Sequence, residues 1–461
     1  MNKNLLNRRE FLSSAVTAGA VGTLGTAGVM LSSCSRDGRT SGLTPLLPES
    51  KWNIPASLPN KAKDGKPLKA GLIGCGNRGV GVARDFLSAA PDVSIVALGD
   101  VFPDKLEEAR KDLNEKFGQD IPKDRCFVGF DSYEKVIASG VDVVLLATPP
   151  VFRPVHFKAA VEAGKHAFLE KPVAVDPVGA RSVIATSREA LAKGLVVITG
   201  TQRHHQRVYI EGYKQVQRGV IGEILAANIY WNTGSHWYRN KEKGWTDVEG
   251  MIRDWGNYTW LSGDHIVEQH IHNIDVINWF TGKKPVKATG FGAHHHRSTG
   301  DQYDMFAVDY LYEGGFHVNS LSRQMDGCSN NISEHILGTK GSWSSDGIIK
   351  NLKGKIVWQF DNQKEKDEFK QTNAFVLEHV NFVNHIRDNQ PISHAEATAV
   401  STLTAIMGRI SAYTGKDVTW DEMLGSDLNL LPPDLSLKNV DMSKYHIPVP
   451  GKPSVRTNNQ R

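Results

Sequence analysis

The spacing of apolar positions changes along the chain. Leu68 to Ile73 is a short apolar run followed by helical spacing from Val80 to Ala90. Further short runs at Val93 to Leu98, Val141 to Ala147, His166 to Leu169 and Leu195 to Thr201 alternate with helix-like Val155 to Ala163 and Pro177 to Lys193. Apolar strands separated by amphipathic helices predict a parallel sheet covered on both faces. Beyond it the period falls to two in Ile224 to Trp231, Phe306 to Tyr312, Phe316 to Ser320 and Ile332 to Leu337, with a further strand at Val286 to Ala293. That alternation predicts an antiparallel sheet with one face covered and the other free to receive a ligand. Helical spacing returns in Ala374 to Asn389 and Ala395 to Thr414, and periodicity is lost from Leu430.

Composition refines this picture only at its edges. A chain of 461 residues, 40% hydrophobic and 23% charged, carries enough apolar material for two domains. A net charge of +4 without a Lys/Arg-rich block excludes a nucleic-acid footprint. Cys34, Cys75, Cys126 and Cys328 lack the paired spacing of a zinc site or a disulfide framework. Asn7-Arg8-Arg9-Glu10-Phe11-Leu12, followed by uncharged Ser13 to Ser33, is a twin-arginine export pattern. Its many Gly, Ser and Thr residues favour a processed signal over a permanent membrane span. Leu31-Ser32-Ser33-Cys34 resembles a lipobox, which would place a lipid anchor on Cys34; the alternative is a small residue beside an ordinary cleavage site. The expected division is a signal at 1–34, a linker at 35–66, a nucleotide domain at 67–200, a second domain at 201–430 and a tail at 431–461 that wraps a neighbouring subunit.

The first apolar run leads directly into Gly74-Cys75-Gly76-Asn77-Arg78-Gly79. In a strand-turn-helix of this kind Gly74 makes the tight turn, Gly76 lets backbone N–H groups approach a pyrophosphate, and Gly79 lets helix and strand pack closely. The next run ends at Asp100, about twenty residues past the last glycine, where a carboxylate binds the ribose hydroxyls of a dinucleotide. A carboxylate there repels a 2′-phosphate and favours NAD over NADP, a preference that Arg78 in the loop would soften. Ligands of an open parallel sheet sit beyond the carboxyl ends of its strands. Thr148, Pro149, Glu170 and Lys171, at two such ends, should therefore border the nicotinamide.

Gly74 to Gly79 with Asp100, Ala147-Thr148-Pro149-Pro150, Glu170-Lys171-Pro172 and Glu268-Gln269-His270-Ile271-His272-Asn273-Ile274-Asp275 together resemble the Gfo/Idh/MocA (glucose-fructose oxidoreductase / inositol dehydrogenase) family over roughly Pro67 to Asp421. The resemblance implies an α/β fold: an N-terminal Rossmann dinucleotide-binding domain plus an α+β domain with a large, mostly antiparallel open sheet. It also implies late helices packed near the nucleotide domain, a homo-oligomer, and oxidation of a sugar or glycoside hydroxyl with Lys171 touching substrate and cofactor and His272 as acid/base. Imidazole titrates near neutral pH and an ammonium holds a developing alkoxide, so the pairing is chemically sound. Where the family commonly has aspartate this chain has Glu268, expected to share a helical face with His272 and orient it. His270 replaces a usual glycine.

His265, Glu268 and His272 fall at i, i+3 and i+7, spacing that admits a divalent cation without demanding one. His294-His295-His296 reads as a polar loop. Arg203, His205, Trp237, His270 and Asp275 are the expected substrate contacts, since aromatic and polar side chains together suit a sugar's apolar face and hydroxyl rim. Three readings follow: a dehydrogenase with tightly held NAD, a redox-neutral glycoside hydrolase or lyase working through a transient keto-sugar, and a non-catalytic sugar-binding lipoprotein. Retention of Lys171 and His272 opposes the last.

Overall fold

The structure, a computed structural model, describes residue 55 and residues 58–452. The twin-arginine segment and Cys34 lie outside the described residues. Seven strands, β1 (Leu68–Ile73), β2 (Val93–Asp100), β3 (Cys126–Val128), β4 (Val143–Leu146), β5 (His166–Leu169), β6 (Val196–Thr199) and β15 (Ile392–Ser393), form one sheet in the order β15-β6-β5-β4-β1-β2-β3. Every neighbouring pair is parallel. The order reverses between β1 and β4, which opens a crevice beyond their carboxyl ends. All of β4 and β6 is buried, as strands sandwiched between helix layers must be. Helices α1 (Asn77–Ala89), α2 (Pro103–Phe117), α3 (Arg153–Glu162) and α4 (Pro177–Ala192) supply those layers.

The second sheet joins β7 (Ile224–Thr233), β8 (Pro285–Ala293), β9 (Met305–Tyr312), β10 (His317–Gln324), β11 (Asn331–Gly338), β12 (Gly341–Ser344), β13 (Ile348–Asn351), β14 (Ile356–Gln359) and β16 (Val418–Thr419). Its order is β14-β13-β12-β11-β7-β10-β9-β8-β16, antiparallel throughout except that β7 and β10 run parallel. Alternation holds: Phe306, Val308, Tyr310 and Tyr312 of β9 are buried while Met305 is exposed. Helices α6 (Ile271–Thr281) and α8 (Ala395–Thr414) cover the buried face; α5 (Arg207–Gln217) leads into β7, and α7 (Ala374–Arg387) packs on α1. Ala395 to Arg409 is buried along its whole length, because α8 is wedged between the second sheet and α4.

Both edges of the described chain make contacts with the rest of it. Within residues 58–66, part of the expected linker, Leu58 and Ala62 are buried, Ala62 N donates to Ala89 O, and Lys63 N donates to Asn384 Oδ1. The tail runs back over its own chain to residue 452. There Leu430 N donates to Asp176 Oδ2, and Leu431, Leu435, Val440 and Tyr445 pack on a cluster around Phe152 and Trp260. Lost periodicity marked irregular backbone, not absence of apolar anchors.

Candidate active site

The glycine loop has the steric features its sequence implied. Gly74 has φ +94°, and a Cβ there would lie 2.6 Å from Thr148 N. A Cβ on Gly79 would overlap the carbonyl oxygen of Gly74, whereas one on Gly76 would meet nothing within 4 Å. No side chain caps α1, so the N–H groups of its first turn face that open space, as an anionic pyrophosphate requires. Asp100 Oδ2 accepts from Cys75 N at 2.7 Å and Oδ1 from Phe102 N at 2.9 Å, which leaves lone pairs for ribose hydroxyls. Burial pushes the Asp100 carboxyl up while these two amides oppose the shift. The crevice therefore fits a dinucleotide.

At the tip of β5 the Glu170-Lys171-Pro172 turn, with a cis peptide before Pro172, is clamped from several directions. Arg153 Nη1 donates to Pro172 O at 2.5 Å, and Arg78 Nε donates to Glu170 Oε1 at 2.6 Å. Asp85 at 3.2 Å and Glu378 of α7 at 3.7 Å also hold the Arg78 guanidinium. Lys171 Nζ donates to Glu268 Oε1 at 2.7 Å and to the Glu268 carbonyl oxygen, a contact across 97 residues that joins the two domains. An ammonium has three donors, so one remains for a substrate oxygen. Burial would raise the Glu268 carboxyl, but the Lys171 ammonium carries it below the usual carboxylate range.

His272, near the start of α6, stacks on Trp231 of β7 with ring centroids 5.7 Å apart. Burial holds its pKa well below the ordinary imidazole value, and the charges of Lys171, Arg203 and Arg78 act in the same direction. The ring is neutral at physiological pH, as a proton acceptor must be. Glu268 does not orient it, contrary to expectation. The helix breaks between Glu268 and Ile271: His270 N donates to His265 O, an i to i−5 bond that inserts one residue into the turn. The insertion rotates Glu268 toward Lys171 and away from the His272 face.

That break also disperses the proposed cation ligands. His265 is hydrogen-bonded to Tyr303 O at 3.1 Å and Ser322 Oγ at 3.0 Å, with the Arg297 guanidinium at 3.3 Å from Nδ1. The described residues contain no group of three or more His, Cys, Asp or Glu able to hold a metal ion.

Most of the expected substrate contacts are structural. His270 is fully buried against Ser320 Oγ at 2.7 Å, and Asp275 is buried between His204 Nε2 at 2.6 Å and Ser401 Oγ at 2.8 Å. His205 is fully buried, 3.3 Å from Asn381 Nδ2. The Arg203 guanidinium is paired with buried Glu334 and lies over Trp231, so it acts on the site through the ring behind His272. Trp237 is 47% exposed, in a loop at the site's edge. Trp231 and Glu334 belong to the covered face of the second sheet, which meets α6, because the helix carrying His272 packs there.

Arg153, Trp231 and Glu378 belong to this region and were not singled out from sequence. Arg153 follows the Thr148-Pro149-Pro150 tip closely enough to have been a candidate. Glu378 is distant in the chain and offers no such signal.

Residues 68–200 match the family model described as an oxidoreductase family with an NAD-binding Rossmann fold, and residues 213–419 match the C-terminal alpha/beta domain of the same family. The chain belongs to the Gfo/Idh/MocA oxidoreductase family. As a Gfo/Idh/MocA member it is an NAD-dependent oxidoreductase. It is 26% identical over 286 residues to the 2,7-anhydro-N-acetylneuraminate hydratase of Escherichia coli, covering 60% of this chain and 68% of that protein. It is 22% identical to the scyllo-inositol 2-dehydrogenase (NAD(+)) of Bacillus subtilis, covering 60% and 72%. Its fold matches scyllo-inositol dehydrogenase from Lactobacillus casei with bound NAD(H) and scyllo-inositol at a TM-score of 0.58 and 22% identity, covering 77% of this chain and 99% of that one.

Proposed function

We propose that this oxidoreductase acts on a ring hydroxyl of a sugar, glycoside or related polyol, with NAD as a resident cofactor. The observation that carries the reading is the meeting of Lys171, from the nucleotide domain, with Glu268 of the second domain, with His272 of that second domain within electrostatic reach of Lys171. Gly76, the first turn of α1 and Asp100 would hold the pyrophosphate and ribose, and Thr148, Pro149 and Glu170 would border the nicotinamide. Bound there, NAD would supply the hydride acceptor for the carbinol carbon. His272, held neutral, takes the hydroxyl proton, and the third donor of Lys171 stabilises the oxygen as charge develops on it. Glu268, which accepts two hydrogen bonds from Lys171 Nζ, keeps that side chain aimed. Arg78 is engaged by three carboxylates and Asp100 disfavours a 2′-phosphate, which supports NAD over NADP. The twin-arginine pattern supports export of the folded, loaded protein.

The test is to purify the mature protein, follow nicotinamide absorbance on adding inositols and glycosides, and repeat with Lys171→Ala and His272→Ala. Both variants should retain the nucleotide and lose turnover by about 10²–10⁴-fold. Near-normal turnover in both would refute the assignment.

A further inference from the structure

The dinucleotide crevice opens beyond the ends of β1 and β4, and Asp100, its ribose carboxylate, ends the neighbouring β2. The segments that follow β2 and β4 therefore flank the adenosine half of the crevice. Both enter one apolar cluster. Phe102, whose N–H is bonded to Asp100 Oδ1, and Val151 and Phe152, which follow the tip of β4, are buried together with Met251, Ile252 and Trp260 of the second domain. The short helix Asp247–Arg253 is fastened to the nucleotide domain at its last residue: Arg253 donates from both Nη atoms to Asp104, each at 2.9 Å, and its guanidinium lies 3.8 Å from the centroid of the Phe102 ring. Half-buried Leu431, Leu435, Val440 and Tyr445 of the tail pack against the same cluster. The tail is tied down at intervals: Leu430 N donates to Asp176 Oδ2 at 2.8 Å, Val440 N to Asp247 Oδ2 at 3.0 Å, and Tyr303 Oη to Pro448 O at 2.9 Å. Asp176 caps α4 of the nucleotide domain, and the other two anchors belong to the second domain, so the tail crosses from one to the other over the cluster.

We infer that the helix Asp247–Arg253 and the tail from Leu430 to Lys452 form a strap over the adenosine end of the crevice, and that the dinucleotide exchanges only when this strap opens. The inference rests on the resident-NAD reading above and gives the residence a structural cause. A ligand's escape rate falls with every contact that must part before it can leave, in addition to the contacts it makes itself. Here an apolar cluster shared by the two flanking segments, the second domain and the tail has to separate, along with the Arg253–Asp104 pair. The opening is a local event. Beyond Gly425 the tail holds no element but the 3-10 turn Met442–Lys444, and it is anchored by scattered hydrogen bonds, so it can lift without breaking either sheet. Arg253 is the strap's positioning residue: it touches neither the glycine loop nor Lys171, and acts by clasping Phe102 and Asp104 beside the ribose carboxylate.

The test loads the full mature protein with NAD, adds a large excess of NAD deuterated in the nicotinamide ring, and follows replacement of the bound nucleotide by mass spectrometry. Melting temperatures are measured on the same samples. Arg253→Ala and Tyr445→Ala should each exchange NAD at least tenfold faster than wild type, the change that losing about 1.4 kcal/mol of strap contact gives. Ile349→Ala is the control, because Ile349 is fully buried in β13, away from the strap: its melting temperature should fall while its exchange rate stays at the wild-type value. A rise of less than tenfold in either strap variant, or an equal rise in Ile349→Ala, reduces these contacts to packing and overturns the strap. So does a wild type that exchanges its nucleotide as fast as the variants, and in each of these cases the oxidoreductase reading stands. A wild type that binds no NAD overturns both.

Discussion

Acid should destabilise this protein through histidines that folding keeps neutral. His156, 3.3 Å from Thr148 Oγ1 and stacked on Tyr133, and His270, bonded to Ser320, have folded pKa values of about 3, in each case because burial disfavours the cation. In the unfolded chain each titrates near 6.5. A folded pKa below the unfolded one contributes stability that is present above about pH 6.5 and is lost as pH falls toward about 3, because the unfolded chain takes up protons first. At pH 5 the unfolded imidazole is about 1.5 units below its pKa, so each ring costs roughly 2 kcal/mol and the pair roughly 4 kcal/mol relative to pH 8. His205, His272 and His379, all buried and shifted in the same direction, add to the loss. Buried carboxyls raised by desolvation, Asp100, Asp176 and Glu378, oppose it, since protonation favours their folded form. Comparing wild type with His270→Gln isolates one term. Urea unfolding at pH 8 and pH 5 should show the variant losing about 2 kcal/mol less than wild type between the two pH values, whatever its absolute stability. An identical pH dependence in both proteins would refute the assignment of a neutral buried His270.

Gly76→Ala should fold normally, since its φ of −71° suits alanine and its Cβ meets open space, but should bind NAD at least tenfold more weakly in a titration of the apoprotein. Gly79→Ala should instead lower the melting temperature, because its Cβ overlaps Gly74; unchanged melting would contradict the close helix-strand packing. Glu268→Gln leaves Lys171 half-satisfied at a site where both side chains are little exposed, so about 3 kcal/mol of stability and most of kcat should go; wild-type kcat would show that the pair does not serve the reaction. Asp100→Asn should improve NADP binding relative to NAD about tenfold, and an unchanged ratio would remove Asp100 from cofactor choice.

The sequence alone determined the features that depend on local chemistry. Gly74 and Gly79 sit where no Cβ fits, Asp100 closes β2, and the alternation from Ile224 onward set the half-buried strands, because steric room, turn geometry and side-chain period act within a few residues. Lys171 and His272 came into view through the family resemblance, each within a short motif. Tertiary structure decided what those residues face. One residue inserted near His270 turned Glu268 onto Lys171, and Glu334 claimed Arg203 from a distant strand. β15, a two-residue strand from the far end of the chain, completed the nucleotide sheet, and α7 brought Glu378 beneath Arg78. Partners of this kind are chosen by which elements pack together, and contacts across a hundred or more residues leave no period or spacing in the chain to read.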